Sequence, residues 1–162
     1  MKKLFSILLL GACALAPAAA RAGEAKAADP MKELQAAVNA KDKTAFIKAL
    51  TDLGNEGTEK AAQMILNVAL SLDSLAKFPP RDSNDIFDAA ESALANVKDP
   101  KGEKLIYEDL KKDKGGESWK IRVFLCDVVA KKRTPEAEDA LVAAVKDKNP
   151  TVQKTAISHL LL

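Results

Sequence analysis

The stretch "TPEAEDALVAAVKDKNPTVQKTAISHLLL" (residues 134–162) holds two helix-length segments, each opened by the same signal. Thr134-Pro135 and Asn149-Pro150 both set a side chain that accepts a backbone N–H directly before a proline. Proline suits the first helical position, where an N–H has no partner inside the helix. Behind the first signal Ala137, Ala140, Leu141, Ala144 and Val145 keep helical spacing; behind the second, Val152, Ala156, Ile157, Leu160 and Leu161 do. Only a short turn separates them, so the stretch predicts a hairpin of two packed helices.

The same unit lies one step earlier. Asp99-Pro100 opens a helix with Leu105, Ile106 and Leu110, "DKGGES" (113–118) turns the chain, and Ser118 is placed to cap "SWKIRVFLCDVVAKK". The first helices of the two units align at an offset of 35 residues, Pro100 with Pro135 and Ile106 with Leu141. The second helices align at 33, Trp119 with Val152 and Val123 with Ala156. In the helix from Ser118, Ile121, Leu125 and Val128 lie on one side, Trp119, Val123 and Cys126 on another, and Lys120, Asp127 and Lys131 form a polar stripe. A helix that is apolar on two sides belongs between layers.

Four further helices precede these. Asp29-Pro30 opens the first, with Leu34, Ala37 and Val38. Ala45, Ile47, Leu50 and Leu53 mark the second, which Gly54 is expected to end. Thr58 caps the third, and Ile86, Phe87, Ala90 and Leu94 mark the fourth. No strand pattern stands outside the helical periodicity. The expectation is an all-α chain of about four stacked antiparallel helix pairs over 30–162, clearest in 100–162.

"DKNPTVQKTAISHL" resembles the second helix of a HEAT repeat in its Asn149-Pro150, Val152, Ala156 and Leu160. Where that family commonly follows the valine with arginine, this chain has Gln153. "TPEAEDALVAAVKD" resembles the first helix of such a unit. The resemblance implies an α-solenoid that binds other proteins.

The N-terminus, "MKKLFSILLLGACALAPAAARAGEA", has a basic start, a short apolar core from Leu4 to Leu15 and "ARA" before Gly23. It reads as a bacterial secretory signal over 1–22, followed by a linker over 23–29, so the chain is expected in the periplasm or outside the cell. In the alternative reading "LGAC" makes Cys13 the acylated first residue of a membrane-anchored lipoprotein.

Composition fits this reading. The chain is 48% hydrophobic and 30% charged but only 4% aromatic, with 25 basic and 23 acidic residues. Removing Lys2, Lys3 and Arg21 with the signal leaves 22 against 23, which offers no footprint for nucleic acid. Without Cys13 only Cys126 remains, in an apolar helical run, and it is expected to be a buried, unreactive thiol.

Catalytic and metal-ligating residues are expected to be none, and likewise cofactors. His159 stands with no second His or Cys near it, and no G-x-S-x-G or phosphate loop exists. Glu136 and Asp139 read as a solvated helix face, and "EDLKKDK" and "AKKR" as solvated faces and turns. Trp119 reads as a core anchor.

The expected function is therefore an exported module for protein–protein interaction or scaffolding, and not an enzyme. One alternative is the docking or regulatory arm of a larger enzyme or sensor continuing beyond Leu162; another is a helical bundle that binds a ligand between helices. Leu160, Leu161 and Leu162 are read as a face for a following unit, with self-association through this end.

Overall fold

The computed structural model describes residues 29–71, 76–79 and 83–162. The expected export signal over 1–22, Cys13 and nearly all of the expected 23–29 linker lie outside the described residues. Among the described residues all regular structure is helical. The elements are α1 (Pro30–Ala40), α2 (Lys43–Glu56), α3 (Glu59–Met64) running into a π-helical turn (Ile65–Ala69), α4 (Ser83–Ala95), α5 (Pro100–Leu110), α6 (Ser118–Lys132), α7 (Pro135–Ala144) and α8 (Pro150–Leu160).

The starts follow the cap signals. The Met31 amide donates to Asp29, Ala45 to Asp42 (3.0 Å), Lys101 to Asp99 (2.8 Å), Ala137 to Thr134 and Thr151 to Asn149 (2.9 Å). Two expectations are corrected. Ser118 does not cap α6: Glu117 precedes the helix without a side-chain cap, and the Ser118 hydroxyl is taken by Arg122 at 2.9 Å. Nor does Gly54 end α2. The helix runs to Glu56, and Gly57 closes it at φ 60°. Gly54 serves packing instead, since a Cβ there would sit 2.6 Å from the Ala93 Cα on α4.

Each helix packs against its neighbour in sequence or the one after. Consecutive contacts join α1–α2, α5–α6, α6–α7 and α7–α8; alternate contacts join α2–α4, α4–α6 and α6–α8 on one side, and α3–α5 and α5–α7 on the other. The π-helical turn touches α1, α2 and α4. These contacts are consistent with stacked helices, the even-numbered α2, α4, α6 and α8 forming one layer and the odd-numbered α3, α5 and α7 the other. The core between them is mostly aliphatic, with Leu34, Leu50, Leu53, Ile86, Leu94, Ile106 and Leu125 fully buried beside the aromatic Phe46. Helix α6 touches α4, α5, α7 and α8, which is why its apolar residues occupy two sides.

Candidate functional site

The most elaborate polar cluster joins the turns of the last two helix pairs. Arg122, on α6, has a side chain only 4% exposed. Its Nε donates to Asp147 Oδ2 at 2.7 Å and its Nη2 to Asp147 Oδ1 at 3.0 Å. Its Nη1 donates to Ser118 and, at 3.3 Å, to Asp113. Asp113 belongs to the turn between α5 and α6, Asp147 to the turn between α7 and α8. One buried guanidinium thus fastens two successive turns by a planar two-point contact that lysine does not reproduce.

The carboxylates are also held locally. The Gly115 amide donates to Asp113 at 3.0 Å, and this bond, with Arg122 nearby, holds the Asp113 carboxyl below its ordinary range. For Asp147 burial pushes upward, but the bonds from Arg122 and from the Asn149 amide outweigh it and keep the acid ionised. The hydrogen bonds to Asp147 in turn raise Arg122.

Gln153 does a related job in α8, donating to the Asp147 carbonyl at 2.6 Å. Arg122 and Gln153 are 31 residues apart, and this spacing sets fully buried Leu125 against fully buried Ala156. The offset of 33 set Ala156 against half-buried Val123 and is corrected accordingly.

The opposite ends of the pairs are joined by a second buried cation. Lys132, at the end of α6 with its side chain 2% exposed, donates to the carbonyls of Ala95, the last residue of α4, and of Val97, and pairs with Glu103 on α5 at 3.2 Å. Burial lowers its pKa, and Glu103 opposes the shift.

The residues singled out from sequence do not converge. His159 Nε2 lies 2.7 Å from Asp127 Oδ1, tying α8 to α6. Cys126 is fully buried, and burial pushes its thiol up to about 12. Glu136 and Asp139 are exposed on α7. Trp119 is half-buried against the core, with the Lys120 ammonium 5.8 Å from its ring. Among the described residues no group of three His, Cys, Asp or Glu side chains could hold a metal ion. A groove of about 890 Å³ runs beside the ends of α6 and α8; Leu141, Leu160, Glu91, Lys131 and His159 line part of it. Within it Lys131 pairs with Glu91 at 2.7 Å and His159 contacts Asp127, and Arg133 and Glu138 also line it.

The chain matches no family model, and no curated protein and no solved structure is similar to it.

Proposed function

We propose that this chain is an exported, HEAT-like α-solenoid module that holds other polypeptides on its even-numbered layer. The alternate-helix contacts, α2 to α4 to α6 to α8, support the solenoid reading. The binding reading rests on one observation: partly exposed apolar side chains concentrate on that layer. Ile47, Phe87, Trp119, Ile121 and Val123 are each half-buried, and Ile157 is 43% exposed. Phe87 lies 5.3 Å from Phe124, centroid to centroid, across α4 and α6. Such a row offers rigid apolar anchors without a closed pocket, which suits an extended polypeptide better than a small molecule.

The test is site-specific photocrosslinking in the producing cell. A photoreactive residue at Lys120, on the even-numbered layer, should give a discrete polypeptide adduct. The same residue at Lys104, on the odd-numbered α5, should not. Absence of an adduct from Lys120, or equal adducts from both positions, would reject this reading.

A further inference from the structure

The tripeptide Lys-Asp-Lys occurs three times, at 41–43, 112–114 and 146–148, each time in the turn inside a helix pair. Stacking brings these turns to one edge. Lys77, before α4, reaches Asn39 of α1 at 3.5 Å, and Phe78 stacks on Phe46 of α2 at 5.0 Å. A cavity of about 380 Å³ borders Leu70 and Ser71 on one side and Lys112, Lys114 and Gly115 on the other. Arg122 then joins the Asp113 turn to the Asp147 turn. The three Lys-Asp-Lys turns and the described residues 70–71 and 76–79 of the second connection therefore follow one another along a single edge.

In each triplet the aspartate is bound locally while the lysines stay outside. Asp42 accepts the Ala45 amide; Asp113 accepts from Gly115 and Arg122; Asp147 accepts from Arg122 and Asn149. Lys41, Lys112, Lys114, Lys146 and Lys148 are exposed. Across 41–43, 76–79, 111–117 and 145–149 there are eight lysines and four carboxylates, and Asp85 and Asp109 beside them pair with Lys43, Lys112 and Lys114. Among the described residues the Lys41, Lys111 and Lys146 ammonium groups have no ion-pair partner. The opposite edge is mixed, with Glu56, Glu59, Lys98, Asp99, Arg133 and Glu136.

We propose that this lysine edge docks the protein onto an anionic lipid surface. The choice of occupant follows from what the edge does not offer. The exposed large apolar side chains of the described residues are Met31, Val142, Ile157, Leu161 and Leu162, none of them on this edge. Apolar lining at the edge is confined to the small cavity of Leu66, Leu70 and Ile121, which gives an acidic peptide little to anchor on, and exposed ion pairs add little one at a time. Of the aromatic residues near the edge, Phe78 is buried against Phe46 and Trp119, in the first turn of α6, is half-buried beside Lys120, so successive bases would find no row of platforms. A charged bilayer needs neither, because its surface potential acts on every lysine near it without pairwise geometry. Among the described residues no helix is long and apolar enough to cross a membrane, so the contact is peripheral. This inference is independent of polypeptide binding by the even-numbered layer.

The test is co-sedimentation of the full chain with phosphatidylcholine vesicles, with and without phosphatidylglycerol, in low and high salt. Neutral vesicles measure any contribution from the apolar N-terminal stretch, which every variant shares. The expected result is added binding to the anionic vesicles that high salt removes. Each lysine near such a surface is worth about fivefold in partitioning, so K41E/K111E/K146E should bind at least about a hundredfold less. K41Q/K111Q/K146Q should lose a smaller part, and provides the measurement should the reversal variant misfold. The control K60E/K101E/K154E carries the same charge change away from the edge and should keep most of the binding. Equal loss in the control, no preference for anionic vesicles, or binding to poly-glutamate without binding to vesicles would each overturn the proposal.

Discussion

Arg122 and Asp147, 25 residues apart in sequence, meet through two nearly parallel hydrogen bonds of 2.7 and 3.0 Å. The arginine is nearly inaccessible, and Asp113 and Ser118 take its remaining reach. Removing one partner of such a pair leaves the other charge buried without compensation. Arg122→Ala should therefore destabilise the fold by about 3 kcal/mol or more, read from urea unfolding. Arg122→Lys should recover only part of this, because an ammonium lacks the two-point fork. A loss within about 0.5 kcal/mol for Arg122→Ala would show that the turns hold together without it.

The same cluster sets an acid limit. Asp113 and Asp147 both titrate below the ordinary carboxyl range in the folded chain. A carboxyl depressed by folding adds stability above its unfolded pKa, and that stability is lost as pH falls through the folded pKa. Unfolding free energy should be level above about pH 5 and fall steadily below about pH 4. Arg122→Ala should flatten this fall. An unchanged acid slope in that variant would assign the sensitivity to other carboxylates.

Cys126 is fully buried, with a thiol pushed up to about 12. It should react with a thiol reagent only as fast as the fold opens, and labelling should accelerate sharply at the urea midpoint. Fast labelling of Cys126 in the native chain would contradict its placement between layers.

Gly54 sets the approach of α2 to α4. A methyl there would stand 2.6 Å from the Ala93 Cα and 2.9 Å from its Cβ, contacts that no rotamer relieves. Gly54→Ala should cost about 1–3 kcal/mol in thermal or urea unfolding, despite alanine's better helix propensity. Stabilisation by Gly54→Ala would mean that α2 and α4 sit further apart.

Much of this was legible in the sequence. The cap-proline pairs at 99–100, 134–135 and 149–150 are local chemistry and gave the starts of α5, α7 and α8. The two-sided pattern of α6 predicted a helix between layers because burial writes itself into apolar spacing. What sequence reading missed depends on partners far along the chain. Arg122 falls between apolar neighbours and looks like an interruption until Asp147 arrives 25 residues later. Gly54 reads as a helix end because glycine commonly is one; only the nearness of Ala93 shows its packing role. The Lys-Asp-Lys triplet inside "EDLKKDK" reads as part of a solvated face or turn, and only the stacking puts it on one edge with the other two.

The central claim is that the helix pairs stack in order, so that α2 and α8 lie at opposite ends of the even-numbered layer. Lys48 on α2 and Lys154 on α8 are both exposed. Spin labels at Lys48→Cys and Lys154→Cys, in a Cys13→Ser background with Cys126 shielded, report the separation by pulsed electron resonance. Three interhelical steps of 8–10 Å each predict about 30 Å between the labels. A distance of about 15 Å or less would mean a closed bundle in which α2 and α8 pack together, and would contradict the stack.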